Sequence, residues 1–319
     1  MKATFPASAL DRPSPDAAAT VLEAASPVRA EANRHTLFSD LSELIKLRLS
    51  MLVVATTLAG FYLGWEGPLN VGLLLHALFG TALAAAGASA LNQVWEREFD
   101  AKMRRTRDRP IPAGRMSVDT GLILGCLFSL AGLLYLAFFT NLFAAVLAAV
   151  TVAIYVFAYT PLKRVTSLNT LVGAVPGAIP PMIGWAAATG GINYGAWMLF
   201  ALMFLWQMPH FLAIAWMYRD DYAQAGFVML PGRDHAGFST GRQCVNYAFI
   251  TWIVGLLPSI VGLTSRGYFF SAFVLGLLFT ISAVRFQIDP GHQRARQLFL
   301  ASILYLPLIL ACLAIFKRH

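Results

Sequence analysis

Charge is scarce in this sequence. Of its 319 residues only 13% are Asp, Glu, Lys or Arg, while 58% are hydrophobic. A soluble domain of that size needs a larger polar surface, so the composition argues against a soluble globular fold. Cysteine is scarce too. The three present, Cys126, Cys244 and Cys312, lie far apart in or beside apolar stretches. Without a CxxC pair or Cys/His spacing, neither a structural zinc site nor a disulfide framework is expected. Residues 1–36 lack the apolar core of a secretory signal, and they are not acid-poor as a mitochondrial transit peptide would be. They are rich in Ala, Pro and Ser, and Lys2, Arg12, Arg29 and Arg34 are balanced by Asp11, Asp16, Glu23 and Glu31. The expectation is a disordered tail over 1–36 on a bacterial-type protein, with the functional domain over 37–319.

What is abundant is apolar sequence in runs of membrane-spanning length. Nine candidate helices run roughly 45–65, 70–92, 118–139, 142–160, 168–188, 195–217, 244–263, 268–286 and 297–316. The expected fold class is all-α, a polytopic membrane protein with about nine transmembrane helices around a central cavity. Gly173, Pro176, Gly177, Pro180, Pro181 and Gly184 interrupt the fifth run. Membrane helices tolerate such residues where neighbours pack closely or satisfy freed backbone groups.

The net charge of +8 does not point to nucleic acid, because the bases cluster in loops between apolar runs. With the N-terminus inside, the inner segments hold Lys46, Arg48, the run from Arg97 to Arg115, Lys163, Arg164, Arg219, Arg233, Arg242, Arg285, Arg294 and Arg296. The outer segments hold Arg266, Lys317 and Arg318. That asymmetry orients the protein and places the ends of the second and sixth helices on one inner face.

Both of those ends carry polar clusters, and ionisable groups so placed are functional candidates. In the first cluster Asn92, Glu96 and Asp100 are spaced i, i+4, i+8, which puts three oxygen-bearing side chains on one helix face with a drift of about 40° per step. They span roughly 12 Å, and Glu98 falls on another face. A few carboxylate oxygens completed by water and substrate phosphate suit magnesium. Solvated charges at a frayed helix end would share the pattern. The basic run Lys102-Met103-Arg104-Arg105-Thr106-Arg107-Asp108-Arg109 follows at once. Arginine can bind phosphate oxygens bidentately, although topology alone also explains a basic loop. The two together fit a metal-bridged diphosphate better than either alone.

In the second cluster Arg219, Asp220 and Asp221 close the sixth helix, and His210 lies within it. Paired acids could hold a second magnesium against a leaving diphosphate, or simply end a helix. His210 is either a substrate or iron contact or a buried histidine with a satisfied hydrogen bond. Tyr159-Thr160-Pro161-Leu162-Lys163-Arg164 ends the fourth helix on the same face, with Lys163 a candidate diphosphate contact or a topological charge.

These stretches resemble the UbiA-type intramembrane prenyltransferases, and within them the protohaem IX farnesyltransferase (haem O synthase) branch. The resemblance rests on Asn92-Gln93-Val94-Trp95-Glu96, Lys102 to Thr106, Tyr159 to Arg164, Gly173 to Pro181, Pro209-His210-Phe211 and Asp220-Asp221-Tyr222 through Met229-Leu230-Pro231. It covers about residues 38–316. It implies a nine-helix bundle around a cavity open to the membrane, with cytoplasmic loops over it. Asn92, Glu96 and Asp100 would bind magnesium and diphosphate, and Asp220 and Asp221 would complete the metal site. Arg105, Arg109, Lys163 and Arg219 would hold phosphate oxygens, with Tyr159 and His210 as further substrate contacts. Gln93 and Glu96 stand where the wider superfamily carries aspartates, as is typical of the haem branch. Position 224 is Gln where the second motif usually carries an acid, and Gly232-Arg233-Asp234-His235 is unusual for the branch.

The resemblance implies transfer of a farnesyl group from farnesyl diphosphate to a vinyl group of haem b, with Mg2+ as cofactor. It also implies a bacterial inner membrane location, a cytoplasmic active face, and downstream haem-modifying or oxidase assembly proteins as candidate partners. Two alternatives remain: a sister prenyltransferase acting on an aromatic acid or quinone precursor, and a transporter. A transporter gives no reason for acids at i, i+4, i+8 beside an arginine run.

Overall fold

The computed structural model describes residues 36–318, so nearly all of the expected tail lies outside the described residues. From Asp40 onward the chain is one compact unit; of the unit before it, the described part is the start of a short helix, Leu37–Leu44. Nine helices among the described residues are long and apolar enough to cross a membrane. They are α1 (Leu47–Gly64), α2 (Val71–Asp100), α3 (Val118–Phe139), α4 (Leu142–Leu162), α5 (Asn169–Thr189), α6 (Tyr194–Met217), α7 (Phe238–Ile260), α8 (Arg266–Ile288) and α9 (His292–Ile315). No strand occurs among the described residues beyond an isolated bridge between Thr264 and Lys317.

All nine expected spans are present, and the differences lie at their ends. α2 continues to Asp100 rather than stopping near 92, α7 starts at Phe238 rather than 244, and α9 at His292 rather than 297. Apolarity marks where a helix meets lipid, not where it stops. Gln, Glu and Arg are good helix formers, so each helix runs on through its polar end.

α5 is the innermost span, with 67% of its apolar window buried against 56% for α6 and 44% or less elsewhere. Its position follows from its small residues. A Cβ on Gly184 would sit 1.9 Å from the Thr57 carbonyl oxygen, and one on Gly60 1.9 Å from that of Pro181. The backbones of α1 and α5 therefore touch, which only glycine at the crossing permits. α5 breaks at Ile179, between Ala178 and Pro180, and the Thr57 hydroxyl donates to the Pro180 carbonyl there at 3.2 Å. α2 and α3 approach in the same way: a Cβ on Gly132 would lie 2.5 Å from the Ala84 nitrogen. Large apolar side chains such as Leu75, Phe79, Leu127, Phe138 and Phe157 face outward, as a lipid-facing surface requires.

Candidate active site

The last three turns of α2 point their polar side chains inward. Asn92 and Gln93 are fully buried, and Glu96 and Asp100 retain 3% and 2% exposure, whereas the Glu98 side chain keeps 71%. The i, i+4, i+8 spacing thus does what helical periodicity demands, and Glu98 pairs with Arg97 on the outer side at 3.0 Å.

Each inward group meets partners from another segment. The Lys46 ammonium donates to Asn92 Oδ1, and Asn92 Nδ2 donates to the Thr160 hydroxyl at 3.0 Å. Lys163 donates to Glu96 Oε1 at 2.7 Å, and Arg109 Nη1 donates to Asp100 Oδ2 at 2.6 Å. Gln93 Nε2 donates to the carbonyls of Glu43 and Leu44 at 2.8 and 2.9 Å, leaving its buried Oε1 without a partner. Asn92, Glu96 and Asp100 therefore form a row of oxygens alternating with three cations supplied by the start of α1, the loop after α2 and the end of α4.

Local backbone features position these cations. Lys46 caps α1 in a left-handed conformation (φ 48°, ψ 55°), a sparsely populated state for a residue with a Cβ. α4 widens to a π-helical turn over Ile154–Tyr159 just before Pro161. Pro161 has no N–H to continue the α ladder, and the Thr160 hydroxyl donates to the Tyr155 carbonyl at 2.8 Å. The turn brings Tyr155, Tyr159 and Thr160 to the interior. Lys163 then lies 4.5 Å from the Tyr159 ring centre.

Charge states follow from these neighbours. Burial alone would lower the Lys163 ammonium, but Glu96 and the phenols of Tyr159 and Tyr155 outweigh it and hold its pKa above the usual lysine range. Lys46 goes the other way: burial and the positive Arg109 push it down to about 7, against the pull of Glu96.

The second cluster comes to the same end of the bundle. Met103 packs with Ala215, Ala225, Phe227 and Met229, and Arg105 Nη2 donates to the Tyr222 hydroxyl at 3.5 Å. The Val228 amide donates to the Lys163 carbonyl at 2.7 Å, tying this loop to α4. Arg219 stacks on Trp216 at 4.8 Å and lies 3.9 Å from Asp220. The Asp220 side chain is 88% exposed, and Asp221 is half-buried. Among the described residues no three His, Cys, Asp or Glu side chains converge to hold a metal. The first row brings together Asn92, Glu96, Asp100, Arg109, Lys163 and Tyr159. Asp220, Asp221 and Arg219 stay in the overlying loop.

The donor set fits a divalent hard cation bridged by diphosphate. Each buried carboxylate has one cationic partner and spare lone pairs, and magnesium takes few protein oxygens and many from water and phosphate.

Beside this row lies a mostly apolar cavity of about 250 Å³ whose lining includes Tyr155 and Tyr159, which meet Lys46 and Lys163 of the row. Its walls include Ala84 and Ala88 of α2, Gly173, Pro176 and Gly177 of α5, and Trp206, Gln207 and His210 of α6. Gly173 is required there, since a Cβ would fall 2.5 Å from the Tyr159 ring. Composition marked Gly173 to Gly184 as a place for close packing, and the cavity wall explains it. Lys46 was legible only as a topological charge and Thr160 only as part of the Tyr159–Arg164 stretch, until the fold brings both to Asn92.

A profile of the UbiA prenyltransferase family matches residues 53–306. The protoheme IX farnesyltransferase of Solibacter usitatus is 45% identical over 279 residues, covering 85% of this chain and 96% of its own length. That of Koribacter versatilis is 43% identical over 286 residues, covering 86% and 92%. Among solved structures, a digeranylgeranylglyceryl phosphate synthase superposes with a TM-score of 0.75 at 15% identity, covering 88% of this chain and 98% of its own. A UbiA homologue from Archaeoglobus fulgidus bound to GPP and Mg2+ gives 0.62 at 14% identity, covering 86% and 99%.

Proposed function

Because the chain belongs to the UbiA prenyltransferase family, we infer that it is a membrane-embedded farnesyltransferase acting on protohaem IX. It moves the farnesyl group of farnesyl diphosphate to a vinyl group of haem b, giving haem O. The observation that carries the site assignment is the buried row Asn92–Glu96–Asp100, interleaved with cations and lying beside a mostly apolar cavity.

In this reading the allylic C–O bond breaks and the diphosphate leaves with the bonding pair. The terminal vinyl carbon of the haem bonds to the allylic carbon. Water then adds to the neighbouring carbon and loses a proton. Asn92, Glu96 and Asp100 would hold magnesium, with Asp220 and Asp221 reaching in from the loop; the ion's chemistry is to neutralise charge on the departing diphosphate. Lys163, Arg109 and Lys46 already sit beside those oxygens and would turn to the phosphates, with Arg105 and Arg219 at the rim. Tyr159 and Tyr155 line the cavity next to Lys163 and Lys46, where their ring faces would shield the allylic cation and keep water off it.

Purified protein supplied with magnesium, farnesyl diphosphate and haem b is expected to yield a haem heavier by a farnesyl group plus a hydroxyl, by mass spectrometry. 4-Hydroxybenzoate should remain unchanged. Prenylated benzoate with untouched haem would move the chain to a sister activity.

The chain is a multi-pass membrane protein, and the Lys/Arg asymmetry supports a bacterial inner membrane with the acidic end of α2 on the cytoplasmic side. In a background lacking the native cysteines, a membrane-impermeant thiol reagent outside intact cells should miss a cysteine placed at Arg107 and label one placed at Asn193. The opposite pattern would invert the orientation.

A further inference from the structure

His210 has an unusually defined chemical state for a histidine inside an apolar bundle. Its Nδ1 lies 2.8 Å from the Ser302 hydroxyl of α9. That hydroxyl has a single proton, and it donates it to the Phe299 carbonyl at 2.6 Å. Ser302 can therefore only accept from the imidazole, and the ring must carry its proton on Nδ1. In the neutral ring the lone pair is then on Nε2.

The rest of the setting fixes the ring plane. His210 stacks between Trp206 (centroids 5.2 Å, 23°) and Phe299 (5.0 Å, 28°). Trp206 is itself tethered, its indole N–H donating to the Ser302 carbonyl at 2.8 Å. Nε2 has no protein hydrogen-bond partner among the described residues, and the residue borders the 250 Å³ cavity. A histidine that donates one N–H to a held oxygen, keeps its other nitrogen without a protein partner and lines a cavity has the arrangement of a metal ligand. Under the reading of haem as acceptor, the metal this nitrogen would meet is the haem iron, whose macrocycle is apolar like most of the cavity lining.

Resting on the reading of haem as acceptor, we propose that Nε2 of His210 is the axial ligand to the iron of the acceptor haem, with Ser302 the positioning residue that sets its tautomer. The bond pins the macrocycle at one point on α6. Its edge can then be presented to the tyrosines that line the cavity, where the allylic carbon is expected.

The test is spectroscopic and needs no turnover. Wild-type protein in nanodiscs is titrated with ferric haem b, and its absorption spectrum is compared with those of His210→Gly and Ser302→Ala. Wild type should give a histidine-ligated spectrum. His210→Gly should lose it and regain it with added imidazole. Ser302→Ala should keep the ligation but weaken haem binding by roughly 10–100-fold, as loss of a ligand's outer hydrogen bond does. Should His210→Gly fail to fold, resonance Raman of the wild-type ferrous haem decides. An iron–histidine stretch supports the ligand, and its absence from five-coordinate ferrous haem rejects it. A His210→Gly spectrum identical to wild type overturns the proposal while leaving haem farnesylation standing. Wild-type protein that neither binds nor converts haem overturns the functional reading itself.

Discussion

Glu96→Gln should lower turnover by about 100-fold or more, roughly 2.7 kcal/mol of transition-state stabilisation. The protein should remain inserted and folded. Glu96 sits in the centre of the inward oxygen row, buried and paired with Lys163 at 2.7 Å. The substitution keeps the shape and a hydrogen-bond acceptor but removes the charge that would hold a divalent cation against diphosphate. Glu98→Gln is the control, since that side chain is 71% exposed and pairs with Arg97 on the outer side. It should change turnover by no more than about twofold, because exposed ion pairs contribute little. Steady-state rates in nanodiscs at saturating magnesium check both variants. Equal damage from the two changes would refute the helix-face argument.

Lys163→Met is expected to be nearly as damaging, for a separable reason. Lys163 is largely buried between Glu96, the Tyr159 ring and the Phe227 ring. Removing its charge leaves Glu96 as a buried carboxylate without its hydrogen-bonded cation, a fault that costs about 3–5 kcal/mol in other buried pairs. Without metal the variant should therefore melt well below wild type, and turnover should fall because a diphosphate contact is gone. The double variant Glu96→Gln/Lys163→Met removes both charges. Its thermal stability should recover towards wild type while activity stays at the level of the worse single variant. A double variant as unstable as Lys163→Met alone would show that the pair is not the source of the loss. Near wild-type turnover in Lys163→Met would remove this lysine from the site.

The parts of the site that could be read in sequence are those carried by a repeating local rule. The face shared by Asn92, Glu96 and Asp100 follows from the helical period alone, and their burial bears it out. Lys163 and Arg109 were legible as charges able to meet phosphate, but their pairing with Glu96 and Asp100 spans 67 and 9 residues, and nothing local encodes it. Lys46 was passed over for the same reason: its partner Asn92 is 46 residues away. Asp220 and Asp221 show the opposite limit. Their adjacency marks them as candidate ligands but does not say how each is placed: in a six-residue helix the Asp220 side chain is 88% exposed and Asp221 is half-buried.

By itself the sequence determined that the protein lies in a membrane, where its nine runs of spanning length fall, and which two helix ends carry the polar clusters. These follow from the length of apolar runs against bilayer thickness and from the 3.6-residue period, both local quantities. Only the tertiary structure decided which cation faces which carboxylate, where the cavity opens, and which nitrogen of His210 bears the proton. Those depend on glycine-permitted crossings such as Gly184 against Thr57, and on a serine 92 residues from the histidine it orients. Packing between distant helices sets such distances, and no periodicity within a single helix contains them.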